Sequence, residues 1–337
     1  MDRNLALNLA RVTEAAALSA GKWLGKGDKN AADGAAVDAM RRMFDTVDID
    51  GTVVIGEGEI DEAPMLYIGE KIGTKVGEEQ VDIAVDPIDG TNSIANGMDN
   101  SIAVLAVAPK GCLLNAPDIY MDKIACGPKA KGLIKLDDSP TENIKRVARA
   151  LNKNIDDIVV AVLDRPRHEE LIKEIISIGA RVKKVSDGDV VTAIETCYED
   201  SGVDLVIGRG GAPEGVIAAA ALKCLGGDFQ GRLHPTDEKQ EQRCRDLDSD
   251  LNKIYSIEDL VKGNEVIFSV TGITSGEILE GVKYYGDNKA KTDTLVLRLP
   301  SGTQRFIKSI HSLDMKPDYA KWLWVIIMNL KINQKKI

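Results

Sequence analysis

Between residues 158 and 225 short β-branched runs alternate with helical patterns, and this alternation limits the possible folds more than any other feature of the chain. Residues 158–163 have the apolar run of a strand buried on both faces, and 181–185 and 204–207 also read as strands. Residues 168–178, 189–197 and 214–225 carry helical patterns, the last very rich in alanine. Strands separated by helices imply a parallel α/β layer, because parallel neighbours need a crossover between them. The flanks differ. Residues 4–24 are rich in Ala and Leu and predict a helix closed near Gly25, followed by a loop over 25–30. Asp33 opens a second helical pattern reaching about Phe44, with Val37, Met40 and Phe44 on one face. Residues 52–55 predict a short strand and 63–72 a helix. Strand patterns occur at 101–108, begin or end at Tyr120 and Met121, and return at 265–270, 294–299 and 303–310. The polar stretch Asp137-Asp138-Ser139-Pro140 predicts a boundary near 137–156. The chain then divides into residues 1–140, residues 155–315 with late strands free to return to the first half, and an atypical tail over 318–337.

At 337 residues the chain has room for two domains or one large layered one. A net charge of -10 argues against nucleic acid as the partner, although divalent cations allow an acidic chain to bind phosphate. Cys112, Cys126, Cys197, Cys224 and Cys244 contain no C-x-x-C pair and suit a reduced, cytoplasmic setting. With His168, His234 and His311 the only histidines, a histidine-based zinc site is not expected. No signal peptide is evident, and the apolar run 322–328 is too short to span a bilayer.

Chemistry concentrates in Val85-Asp86-Pro87-Ile88-Asp89-Gly90-Thr91-Asn92-Ser93. The alternation of residues 81–85 places this run at a strand end. Asp86 can bridge two cations while Asp89 holds one, and Pro87 fixes the backbone between them. The Ile88 carbonyl is a further oxygen ligand, Gly90 permits close approach of a phosphate, and the Thr91 hydroxyl can orient a water. Hard oxygen donors suit Mg²⁺ or Mn²⁺. Asp-Pro and Asp-Gly also form plain turns, so other carboxylates must support the metal reading. Glu57, between glycines at a strand end, is one, since a two-metal site draws carboxylates from several strand ends. Asp61 and Asp33 each fit either a site role or a helix N-cap. Glu214 opens the Ala-rich helix behind Gly208-Arg209-Gly210-Gly211-Ala212-Pro213. Pro213 stands where a dinucleotide loop needs its third glycine, which rejects a Rossmann reading. Arg165 and Arg167 around Pro166 fit a second phosphate or a solvated pair. Asp187-Gly188-Asp189 fits sugar hydroxyls or a turn with an N-cap. His168 is expected on the surface of the following helix.

The D-P-I-D-G-T run with its upstream Gly-Glu motif resembles the lithium-sensitive, metal-dependent sugar phosphatase superfamily that includes inositol monophosphatases. Longer strings are more specific. Residues 56–66, 116–123, 163–168 and 208–215 occur in family order and resemble class II fructose-1,6-bisphosphatase over about residues 1–315. That resemblance implies a layered α/β/α/β/α fold with two mixed-sheet halves, the first holding metal and the second substrate. It implies hydrolysis of the 1-phosphate of fructose 1,6-bisphosphate, a gluconeogenic step, with sedoheptulose 1,7-bisphosphate as a further substrate. Asp33, Glu57, Asp86, Asp89 and Glu214 would hold two or more Mn²⁺ or Mg²⁺ ions. Asp89, Gly90, Thr91, Tyr120, Arg165, Pro166, Arg167, Asp187, Gly188, Asp189 and Gly211 would contact substrate. Lys29, Glu57, Asp61 and Thr91 are the expected reacting groups. Many family members carry Glu where this chain has Asp89, and residues after about 318 match nothing in the family. A homo-oligomer, dimer or tetramer, is expected, with no nucleic-acid or membrane partner. The alternatives are an inositol- or nucleotide-monophosphate phosphatase of the same superfamily and a non-catalytic sugar-phosphate sensor.

Overall fold

The computed structural model describes residues 1–58, 65–74, 79–247 and 249–316. Helices α1 (Leu5–Ala20) and α2 (Lys29–Phe44) come first, followed by strands β1 (Asp50–Ile55), β2 (Lys71–Ile72) and β3 (Gln80–Asp89). Helix α3 (Thr91–Asn96), strands β4 (Ile102–Pro109) and β5 (Tyr120–Cys126) and helix α4 (Pro140–Leu151) come next. The alternating stretch runs β6 (Val159–Leu163), α5 (Glu169–Ser177), β7 (Arg181–Val185), α6 (Val190–Glu195), β8 (Leu205–Gly211) and α7 (Ala212–Leu225). Strand β9 (Asp228–His234), helix α8 (Glu238–Asp246), strand β10 (Tyr255–Ser256) and helix α9 (Ile257–Leu260) precede β11 (Ile267–Gly272), β12 (Lys283–Tyr285), β13 (Lys289–Arg298) and β14 (Thr303–Ser312).

Two mixed sheets form. The first has the order β12-β13-β11-β4-β3-β1-β2, with β14 added on β13; the second has the order β10-β9-β5-β8-β6-β7. The alternating stretch supplies the parallel pairs β6·β7 and β6·β8 of the second sheet, and its other described pairs are antiparallel. Helices α1 and α2 cover the outer face of the first sheet, burying Leu9, Val12, Met40 and Phe44 against Ile83, Val85 and Val107. Helix α7 lies between the sheets and touches strands of both. Its even alanine content follows, since both faces must bury side chains at close approach. Helices α4 and α5 cover the far face of the second sheet. The layers therefore run α/β/α/β/α.

A boundary at 140–155 does not separate the sheets: β5 belongs to the second, and β11 to β14 return to the first. Ser139 is not a linker residue. Its side chain caps α4 by accepting from Glu142 N, and Pro140 takes the first helical position, where its missing N–H costs nothing. The predicted helix over 63–72 is corrected in its described part, residues 65–72, which holds turns and β2. Helix α2 begins before Asp33, because the Asp28 side chain caps it through Ala31 N at 3.0 Å. All five cysteines are free. Among the described residues no helix is long and apolar enough to cross a membrane; the run 322–328 lies outside them.

Candidate active site

Strand β3 sets the centre of the site. It pairs with β4 as far as Asp86↔Val104 and resumes at Asp89↔Ile102, so β3 carries one extra residue in between. In a regular strand, residues three apart face opposite sides. The bulge at Pro87 and Ile88 re-aims the chain, and Asp86 and Asp89 line the same cavity. Proline, which cannot donate to a ladder, suits that position. Asp86 Oδ1 accepts from Ile88 N at 3.0 Å, and Asp89 Oδ2 accepts from Val190 N at 3.2 Å at the start of α6. Gly90 adopts φ 93, a left-handed turn open to glycine, and Thr91 opens α3 behind it.

The cavity has a volume of about 290 Å³. Its wall takes Asp33 from α2, Glu57 from beyond β1, Asp86 and Asp89 from β3, Asp187 from beyond β7 and Glu214 from the first turn of α7. Asp118, Gly90 and Thr91 complete its polar lining, and among the described residues no lysine, arginine or histidine takes part. Two glycines make room. A Cβ on Gly56 would stand 1.9 Å from the Leu66 carbonyl oxygen, and one on Gly211 would stand 1.8 Å from Glu214 Oε2.

Crowded carboxylates resist ionisation. Burial, then the charge of Asp33, pushes Glu57 up to about 8. Burial also raises Asp33, offset in part by its hydrogen bond with Glu57. Asp86 is held well above the usual carboxylate range by burial, then by Asp89, Glu214 and Glu57. Asp89 is raised likewise by burial, then by Asp189, Glu214 and Asp187. Burial raises Glu214 too, while nearby Lys123 pulls the other way. Glu214 Oε2 is buried without a hydrogen-bond partner. Carboxylates from four elements, a stranded acceptor and a described lining without a basic side chain fit hard divalent cations such as Mg²⁺ or Mn²⁺. Among the described residues, no three potential ligands already form a closed metal-binding group; the donors are spread around the wall.

A second cluster lies beside the cavity on the second sheet. Arg165 Nη1 donates to Ser186 O at 2.6 Å, and its Nη2 stands 3.3 Å from Asp187 Oδ1. The other Asp187 oxygen accepts from Asn92 N at 2.9 Å, tying this cluster to α3. The Arg167 guanidinium lies 4.6 Å over the Tyr120 ring. Asp189 does not cap α6 with its side chain; its Oδ2 pairs with buried Lys123 Nζ at 2.6 Å. Gly188 backs Asp89, since a Cβ there would stand 3.3 Å from Asp89 Oδ2.

The fold thus brings Asp33, Glu57, Asp86, Asp89, Gly90, Thr91, Asp187 and Glu214 to one cavity. Tyr120, Arg165, Pro166, Arg167, Gly188, Asp189 and Gly211 are not among the residues lining it. Lys29 is exposed one turn before Asp33 on α2 and is not brought to the wall. Asp61 lies outside the described residues. His168 is not on the helix surface: it is buried at 4% exposure and bonded at both ring nitrogens.

A model of the bacterial, glpX-encoded fructose-1,6-bisphosphatases matches residues 3–311. The chain belongs to that family. A class 2 fructose-1,6-bisphosphatase of Escherichia coli (strain K12) is 51% identical over 329 residues, covering 94% of this chain and 97% of the relative. One from Haemophilus influenzae is 49% identical over 327 residues, covering 93% and 98%. A solved inositol monophosphatase from Anabaena (Nostoc) sp. PCC 7120 overlaps 57% of this chain and 69% of its own at 14% identity and TM-score 0.30, too loosely to add to the assignment. For a fructose-1,6-bisphosphatase, a phosphoric monoester hydrolase, an all-acidic cavity beside an arginine cluster is a coherent pair of features. Asp118 and Lys123 went unassigned in the sequence. The signal for Lys123 is a lysine at a buried strand position beside Met121.

Proposed function

We propose that the acidic cavity is where this fructose-1,6-bisphosphatase hydrolyses the 1-phosphate of fructose 1,6-bisphosphate to fructose 6-phosphate and phosphate. The observation that carries the reading is the convergence of Asp33, Glu57, Asp86, Asp89 and Glu214 on one cavity whose lining, among the described residues, has no basic side chain. A polyanionic substrate cannot enter such a cavity unless cations neutralise it. These five residues would hold two or more Mn²⁺ or Mg²⁺ ions, which when bound neutralise phosphate charge and acidify a water. Thr91, at the start of α3, orients the attacking water through its hydroxyl. Glu57, hydrogen-bonded to Asp33, takes the water proton, with Asp61 as the other candidate for that role. In-line attack then needs no covalent enzyme intermediate.

Arg165 and Arg167 bind the far 6-phosphate, with Tyr120 beneath Arg167. Asp187, Gly188, Asp189 and Gly211 border the sugar. Remote binding of this kind contributes to positioning at the reacting phosphorus. Sedoheptulose 1,7-bisphosphate offers the same two phosphates and is a further candidate substrate. Free cysteines suit a cytoplasmic location. Phe306 and Ile310, 51% and 76% exposed on β14, support self-association into a dimer or tetramer, testable by light scattering.

The test is phosphate release from fructose 1,6-bisphosphate, sedoheptulose 1,7-bisphosphate, fructose 6-phosphate and inositol 1-phosphate with added Mn²⁺ or Mg²⁺. Release from the bisphosphates, with the monophosphates poor, is the expected result. Preference for inositol 1-phosphate would overturn the role of the arginines.

A further inference from the structure

The hydrogen bonds of His168 reach well beyond its own turn. Its Nδ1 lies 2.7 Å from Leu163 O, and its Nε2 lies 2.8 Å from Arg209 N. A carbonyl can only accept and a backbone N–H can only donate, so the pair of partners fixes the ring. Nδ1 carries the proton and Nε2 is the acceptor, leaving a neutral imidazole.

This ring stands where the pairing of β8 with β6 stops, while β8 stays paired with β5 on its other side as far as Gly211. Strands β6 and β8 are joined at Val160↔Leu205 and Ala161↔Val206, and no pairing is formed further along. Leu163 and Arg209 lie beyond those pairs, and the imidazole bridges them. Gly208 makes room for it, because a Cβ there would lie 3.3 Å from both Cε1 and Nε2 of the ring.

The Arg209 backbone passes this constraint onward through its Cα, from the N–H held by the ring to the carbonyl of the next peptide. Its carbonyl accepts from Arg167 Nη2 at 2.7 Å and from Nε at 3.3 Å. Its own side chain is tied to Asp122 at 2.6 Å. Arg167, held at that carbonyl, is stacked on Tyr120, whose strand partner is Gly211. The order of contact is therefore His168, the Arg209 backbone, the Arg167 guanidinium.

We propose that His168 is a positioning residue for the distal-phosphate subsite, holding the Arg209 backbone so that Arg167 presents its guanidinium to the 6-phosphate of the substrate. The proposal rests on the reading of Arg165 and Arg167 as the distal-phosphate contacts. Loss of the Nε2 acceptor strands the Arg209 N–H; β8 stays paired to β5 at Gly208 and Gly210, and the local shift that re-satisfies this N–H re-aims the Arg209 carbonyl that orients Arg167. Binding of the bisphosphate then weakens, while the acidic cavity, which His168 does not line, keeps its geometry.

The experiment is a double-mutant cycle on fructose 1,6-bisphosphate hydrolysis by the full chain with Mn²⁺. Its members are wild type, Arg167→Ala, His168→Phe and the pair together, with His168→Gln as the conservative variant. His168→Phe is expected to raise KM by roughly tenfold, the factor for one lost buried bond of ordinary strength, with kcat within about twofold. His168→Gln, which retains a donor and an acceptor, recovers part of that loss. Adding His168→Phe to Arg167→Ala raises KM little further. If Arg167→Ala itself leaves KM unchanged, the distal-phosphate reading fails. If Arg167→Ala raises KM but His168→Phe does not, or the two effects multiply independently, the positioning role is overturned. A fall in kcat without a change in KM overturns it as well. Should His168→Phe not fold, His168→Leu, which also lacks the Nε2 acceptor, replaces it in the cycle with the same expected rise in KM. An unchanged KM or an independent effect there would equally sink the proposal.

Discussion

Asp86 and Asp89 reach one cavity because β3 carries one residue more than β4 between them. Removing either should remove cation binding along with charge. Asp86→Ala is expected to lower kcat by about 10³-fold or more, the scale of a lost charge-stabilising group, measured as phosphate release at saturating Mn²⁺. Arg165→Ala should instead raise KM by roughly tenfold and leave kcat close to wild type, as the loss of a charged contact remote from the reaction does. Glu57 gives a pH signature to the metal-free protein. Its folded value, about 8, lies above its ordinary 4.5, so its contribution to stability is complete below about 4.5 and is lost as pH rises through about 8. Buried His311 works the opposite way, its value held down to about 4, but its window closes above the ordinary 6.5. Between pH 6.5 and 8 in EDTA, calorimetry should therefore show Tm falling in the wild type and a flatter profile in Glu57→Gln. Asp86 and Asp89 were legible in the sequence from the donor chemistry of their run, Glu57 and Glu214 gained weight beside them, and Asp33 entered the set only through the family resemblance. His168 and Lys123 were not, because their partners lie 41 and 66 residues away and are brought in only by the second sheet.

Helix α7 shows how an element imposes geometry on the site. Its first turn carries Glu214 against Gly211, where no Cβ fits. Gly211→Ala should push the Glu214 carboxylate aside and weaken cation activation, raising the Mn²⁺ concentration for half-maximal rate by about tenfold or more, the effect of a disturbed metal ligand. An unchanged Mn²⁺ dependence would show that the first turn of α7 does not set the ligand. Strand and helix periodicity made β6, β7, α7 and the terminal helices readable. Helix α4 escaped because Ser139 and Pro140, which look like a linker, are a cap and a first-turn proline. The expected helix over 63–72 does not form in its described part, 65–72. Leu66 has φ 56, outside the right-handed helical region, and its carbonyl packs against Gly56 to turn the chain toward β2.

At the scale of the whole molecule, the cavity lies where α2, β3 and α7 meet, so a cation there would join an outer helix, a central strand and the helix between the sheets. Chelation should accordingly lower Tm, and Mn²⁺ should restore it in proportion to its concentration, by mass action. The five-layer arrangement was expected from family resemblance. The alternating stretch alone showed only a parallel layer, and the return of β11 to β14 to the first sheet depends on contacts across more than 150 residues that no local pattern encodes. The central claim is that hydrolysis occurs at the acidic cavity and depends on cations held there. Its most direct test is phosphate release from fructose 1,6-bisphosphate by wild type and Asp86→Ala, each with Mn²⁺, with EDTA, and with Mn²⁺ restored after EDTA. The account predicts release by wild type alone, abolished by EDTA and regained with Mn²⁺. Release by Asp86→Ala at the wild-type rate, or release by wild type that persists in EDTA, would contradict it.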